Sequence, residues 1–158
     1  MKQAEEYSLT LRIQQQFLEE LRGANEISAR FGLQLSEQGM QELAKARTQA
    51  LVEHGRVELG VSAVRAIAEG FCDSPFLLQE DYEVVLSELV DAFYYFKNAC
   101  GEQLTDDELI QAMRERFDAF DGSVEAVVGT SLEALCRARR LGQDYDEGWE
   151  EDDSYDDE

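Results

Sequence analysis

Apolar residues recur every three or four positions along most of this chain, the period of amphipathic helices. Ile13, Phe17 and Leu21 follow spacing four with Leu18 beside them, which predicts a helix from near Ser8 to Gly23. Asn25 opens a short turn of helix, "NEISARF", that Gly32 stops. Ser36 is placed to cap a helix reaching about His54, with Gly55 closing it. Ser62 begins another, with Val64, Ile67, Ala68 and Phe71 on one face. "CDSP" (72–75) reads as a turn, because Pro75 forces the residue before it out of helical geometry. The strongest periodicity covers about 79–100, where Tyr82, Val85, Leu86, Leu89, Phe93, Phe96 and Cys100 keep the helical spacing. "TDDE" (105–108) is a capping box before a helix that buries Leu109, Ile110, Met113 and Phe117 and stops near Gly122. Ser123 starts a short helix, and "TSLE" (130–133) reads as a second capping box opening a last helix to about Arg140. Two runs alternate instead, "LQL" (33–35) and "RVEL" (56–59). They can pair as a minor two-stranded ribbon, an arrangement marginal by itself. The pattern as a whole predicts an all-α fold, a compact bundle of about seven helices. It also predicts a helical domain over 1–141 and an acidic, disordered tail over 142–158.

Composition sharpens this picture. Apolar residues make up 44% of the 158 residues, enough for a core, and Pro75 is the one proline, so long helices meet no break. Net charge is −21, with ten acids and no base between Asp144 and Glu158. The remainder still carries 25 acids against 14 bases, a net −11. Phosphate backbones and anionic lipid repel such a chain, so direct nucleic-acid binding and a membrane partner are not expected. Another protein is the expected partner, and a basic one meets the least repulsion. Cys72, Cys100 and Cys136 are odd in number and widely spaced, which indicates no disulfide framework. No apolar run reaches the ~18 residues of a membrane span. A reducing, cytoplasmic setting is the expectation.

Charge and aromatic residues on helical faces supply the candidate functional positions. In the helix 36–54, Met40, Leu43, Ala44, Ala50 and Leu51 form one stripe, and Arg47 falls in its middle with His54 near the edge. A cation on a core face needs a partner, and Glu58 just past the turn is the nearest. Arg47 then either joins its helix to "RVEL" through a buried ion pair or holds an anion in a cleft. "FYYF" (93–96) cannot turn four aromatics to one side of a helix. Phe93 and Phe96 continue the core stripe, whereas Tyr94 and Tyr95 fall on opposite flanks. Either the helix is buried nearly all round or one tyrosine is exposed as an interface residue.

Three phrases, "GRVELG", "FCDSPFLLQEDYEVVLSELVDAFYYFKN" and "LTDDELIQAMRERFDAF", carry a resemblance. Together they resemble an uncharacterised family of small bacterial proteins, a domain of unknown function, from about Phe31 to Leu135. The resemblance implies a small bacterial cytoplasmic protein. It assigns no residue a role.

The vocabulary of catalysis is thin. A nucleophilic Cys72 in its turn would need a base, and His54 is the single histidine. No closed zinc site is spelled out, as CxxC and a second histidine are missing. Setting Asp144 at position 1 of a calcium loop puts Gly148 at 5 rather than 6 and Tyr155 at 12, so the register fails. No phosphate-cradling glycine motif occurs. No cofactor, metal site or catalytic residue is therefore expected. The reading that follows is a non-enzymatic protein–protein interaction module, with Arg47, Glu58, Tyr94, Tyr95 and Trp149 as candidate contacts. Two alternatives stand beside it: an acidic decoy of a basic nucleic-acid-binding surface, and an enzyme with a site near Arg47 and Cys72. In the tail, Asp144–Trp149 is the half expected to make a contact, and Asp152–Glu158 is expected to stay disordered.

Overall fold

The computed structural model describes residues 2–58 and 62–143, with side chains from Arg12 onward. Among these residues every regular element is helical. Six helices of nine residues or more are α1 (Lys2–Ser28), α2 (Glu37–Glu53), α3 (Ala63–Phe71), α4 (Tyr82–Ala99), α5 (Asp106–Ala119) and α7 (Thr130–Arg140). A single turn, α6 (Val124–Val127), precedes the last of them, and 3₁₀ turns at Ala29–Phe31 and Gln79–Asp81 follow α1 and lead into α4. The all-α class is as predicted, but the count is six helices among the described residues rather than about seven, because the segment after Ser123 forms only a single turn. No described helix is long and apolar enough to cross a membrane.

The chain divides into two compact units, one ending at Asp91 and one beginning at Ala92, with the boundary inside α4. In the first, α1 packs on α2 and α3. The buried face of α1 is Phe17, Glu20, Leu21, Ala24 and Ser28, the helical spacing seen in the sequence. Leu21, Leu43, Ile67 and Phe71 are fully enclosed, and burying each stabilises the fold by roughly 1.5–3 kcal/mol. Ser36 and Ser62 cap α2 and α3 as expected, accepting from the N–H groups of Gly39 and Val64. Gly55 adopts the left-handed conformation, φ 65°, that ends α2.

In the second unit the capping box of Thr105 and Glu108 is present in both directions, at 3.0 and 2.9 Å. Lys97 is buried near the end of α4, and its ammonium donates to the Leu104 carbonyl at 2.8 Å and meets Asp106 at 2.9 Å. It thereby fixes the loop that carries Gly101 and Glu102 through positive φ. Arg137, Arg139 and Arg140 lie in the last turn of α7, the end where cations suit the helix dipole.

Three further expectations are corrected. Gly23 does not end α1; the helix runs through it to Ser28 and begins at Lys2 rather than near Ser8. The Arg65 guanidinium lies 3.4 Å from where a Cβ at Gly23 would be, so a neighbour from α3 covers this weak point of the helix. "TSLE" is no capping box: Gly129 occupies the cap position, without a side-chain bond, and Thr130 is already helical. The chain leaves α6 so tightly that a Cβ at Gly129 would sit 3.3 Å from the Ala126 carbonyl oxygen, which places the cap one residue early.

The ribbon between 33–35 and 56–59 does not form among the described residues, which exclude Leu59. Side chains already occupy the main chain of 33–35. Asn25 bonds both groups of Leu35 at 2.9 Å, and Gln79 bonds both groups of Gln34 at 2.8 and 2.9 Å. The Leu33 N–H reaches the Ser28 carbonyl, and the Ser28 hydroxyl donates to the Leu33 carbonyl at 2.7 Å.

Candidate functional site

Arg47 faces inward from the third turn of α2, with Met40, Leu43, Ala44 and Ala50 on the same buried face. Its side chain is one-tenth exposed. The Nε–H donates to Glu58 Oε1 at 2.8 Å, so the ion pair anticipated from spacing is formed. The guanidinium also lies over the Phe17 ring, 4.7 Å from its centroid, a distance at which the ring face attracts a cation.

Glu58 does a second job. Its Oε2 accepts the N–H of Ala63, the first residue of α3, at 3.0 Å. Glu20, buried on α1, accepts the Ser62 N–H at 2.8 Å, and the Ser62 hydroxyl accepts the Val64 N–H at 3.0 Å. Three donors at the start of α3 are thus taken by Glu20, Glu58 and Ser62. Two of these acceptors are anions, at the helix end where negative charge is favoured. The Arg47–Glu58 pair therefore ties α2 to the N-terminus of α3.

Beside this network runs a cleft of about 390 Å³ between α1 and α2, lined by Ile13, Phe17, Ala44, Lys45, Arg47 and Thr48 among others. A smaller recess of about 70 Å³ continues past Arg47 to Glu20, Glu58 and Ser62. Among the described residues, Glu58 at Nε is the one hydrogen-bond acceptor on Arg47. Among the described residues no buried side-chain nitrogen or oxygen lacks a partner, so the two terminal nitrogens of Arg47, a lining residue of the cleft, keep some solvent exposure. An inward-facing cation with one edge free, under walls that are mainly apolar, is suited to receive an anionic group on an apolar stem.

The other sequence candidates fall elsewhere. Tyr94 is buried, 2% exposed, so it presents nothing to solvent. Tyr95 is the exposed member, at 42%, and its hydroxyl donates to Glu133 at 2.9 Å. That carboxylate and partial burial hold the Tyr95 hydroxyl above its ordinary pKa. Trp149 and the two halves of the tail lie outside the described residues. Cys72 is buried rather than displayed on its turn, and its thiol donates to the Glu69 carbonyl at 3.5 Å. Cys136 is buried too, and burial, then the neighbouring Cys100, pushes its thiol up to about 12. His54 caps α2 and meets Asp91 at 3.0 Å. With Glu53 these residues bring three potential ligand atoms within 4.8 Å of one another. Glu53 and Asp91 are exposed; the His54–Asp91 bond brings two of the three together, and Glu53 adjoins His54 in the chain.

Three buried charges were missed, Glu20, Lys97 and Arg116. Arg116 is fully enclosed in the second unit, donating to Ser131 Oγ at 2.7 Å and to the Ala112 carbonyl at 2.9 Å. The signal was available: Arg116 stands seven residues after Leu109, on the core stripe of α5, the relation that singled out Arg47 in α2.

A family model described as "Family of unknown function (DUF6323)" matches residues 20–145. The chain belongs to this family. No curated protein and no solved structure matches it. The match takes in α2, α3 and the α1 residues from Glu20 onward, so Arg47, Glu58 and Glu20 lie inside the family's extent. Phe17 and Ile13, which complete the cleft, lie just before it.

Proposed function

We propose that this member of the family is a non-enzymatic protein–protein interaction module whose recognition site is the α1–α2 cleft, with Arg47 receiving an anionic group of the partner. The observation that carries this reading is the guanidinium itself. It is nine-tenths buried, pinned at Nε by Glu58 and backed by Phe17, yet it lines a cleft and its terminal nitrogens keep some solvent exposure. Apolar walls beside a fixed polar anchor are the composition of a recognition pocket. The body's net −11 favours a partner that carries basic residues outside the anchoring patch. A bacterial, cytoplasmic setting belongs to the same reading.

Site-directed photo-crosslinking tests it. A photoreactive residue at Thr48, on the cleft, is compared with one at Gln111, on the exposed face of α5. A discrete adduct from position 48, absent from 111 and lost in Arg47→Lys, is the expected result. Identical adducts from both positions, or indifference to Arg47, would refute the cleft as the recognition site.

A further inference from the structure

Resting on that reading, we infer that the group taken by Arg47 is a single carboxylate on an apolar stem, namely a glutamate or aspartate side chain set among apolar neighbours on the partner, and that phosphate is excluded.

Shape comes first. A guanidinium offers donors along two edges and attraction over its faces. Glu58 occupies Nε, and Phe17 covers one face. What remains is the end-on pair of terminal nitrogens, whose parallel N–H bonds match the two oxygens of a carboxylate.

Charge decides between the anions. Within the recess, Arg47 stands against two carboxylates, Glu58 and Glu20. Lys45 adds a cation at the mouth, but it is largely exposed and paired with Glu42 at 3.5 Å. The N-terminus of α3 contributes about half a positive charge behind the two glutamates. With Lys45 and Glu42 cancelling, the sum is about −0.5, so beyond its direct contact with the guanidinium an anion meets slightly negative surroundings, and a single negative charge is the most the free edge takes. A dianion would meet the Glu58 and Glu20 charges at short range in a partly desolvated setting, where Coulomb repulsion is strong. A site built for phosphate collects several cations or bare helix N–H groups. Here the N–H groups at the start of α3 are already consumed by Glu20, Glu58 and Ser62.

The walls fix the stem. Ile13, Phe17 and Ala44 supply most of the apolar surface beside Arg47, and Gln14, Thr48 and Gln49 complete the lining. A methylene chain or aryl ring suits this lining, whereas a fully hydrated anion would strand its water against apolar surface.

The test is an NMR titration of the full-length, isotopically labelled protein with three probes of one stem: 4-phenylbutanoate, 4-phenylbutyl phosphate and 4-phenylbutanol. The expected result is saturable perturbation of the Arg47 Nε–H and of the Thr48 and Ala44 signals by the carboxylate. The phosphate and the alcohol should bind at least about tenfold more weakly, the loss expected for one charge-assisted hydrogen-bonded contact. Arg47→Lys keeps the charge but not the fork and should lower carboxylate affinity about tenfold as well. Glu58→Gln removes one facing charge and should narrow the gap between carboxylate and phosphate. Equal or tighter phosphate binding at the same signals would overturn the carboxylate assignment while leaving the cleft as the recognition site. Equal binding of the alcohol, or an unaltered carboxylate affinity in Arg47→Lys, would overturn it too. Absence of any perturbation at α1 and α2 would remove both the inference and the reading beneath it.

Discussion

The Arg47–Glu58 pair lends itself to a double-mutant cycle whose outcome the structure fixes in sign and size. Nε and Oε1 are 2.8 Å apart, and the side chains are 10% and 14% exposed. Removing one partner of a buried pair destabilises by ~3–5 kcal/mol, because the other charge is left without compensation. Two features moderate that figure for Arg47→Met. Glu58 keeps the Ala63 N–H at 3.0 Å, and its residual exposure lets water approach the freed oxygen. The expected loss is about 3 kcal/mol. Glu58→Gln leaves Arg47 with its terminal nitrogens already open to solvent, so the expected loss is smaller, about 2 kcal/mol. In Arg47→Met with Glu58→Gln no buried charge is stranded. The double variant should therefore be more stable than the sum of the single losses implies, by about 2 kcal/mol. Urea unfolding followed by far-ultraviolet circular dichroism reads these differences, with the slope m checked for constancy across variants. A coupling energy under about 0.5 kcal/mol would refute the reasoning, since it would place the two side chains in independent environments.

Three further outcomes follow from particular contacts. Burial raises the Cys136 thiol from near 9 to about 12, and a folded-state pKa above the unfolded one contributes stability that is present below pH 9 and is lost as pH climbs toward 12. Stability should fall across that window, and Cys136→Ala should flatten the fall; the same slope in both proteins would contradict the assignment. Gly23→Ala should stabilise by about 0.5–1 kcal/mol, since the position is mid-helix and the nearest atom to the new Cβ, on the flexible Arg65 side chain, is at ordinary contact distance; a destabilised variant in thermal unfolding would show that α1 needs glycine there. Thr105→Ala should cost about 1 kcal/mol of stability through loss of the capping box, and an unchanged urea midpoint would count against that cap.

What the sequence made legible was local. Ser36, Ser62 and Thr105 announce helix starts because a cap is decided within four residues, and all three behave as read. Arg47 and Glu58 were legible as a pair because helical phase and a short turn bring them together. Failures arose where residues outside the motif itself intervened. Gly23 reads as a stop by propensity, but Arg65 from α3 covers it. Thr130 reads as a cap, but the turn out of α6 shifts the cap to Gly129. The role of Glu20 had no local signature at all. Its partner, the Ser62 N–H, lies 42 positions away, and only packing of α1 against α3 brings them together. Cleft formation is tertiary for the same reason.

The extended segment Leu33–Leu35 has a consequence for how this protein behaves in a crowd of copies. An isolated strand-like run with free N–H and C=O groups is a template on which another chain can add, the first step toward edge-to-edge association. Here all six main-chain groups of Leu33, Gln34 and Leu35 are engaged, by Ser28, Asn25 and Gln79. Leu33 and Leu35 are turned into the core while Gln34 stays outside. The three side chains act as a cover over what would otherwise be an adhesive edge. Loss of Asn25 or Gln79 would uncover it, and the cost would be paid in colloidal behaviour at high concentration before it became visible in the folding equilibrium.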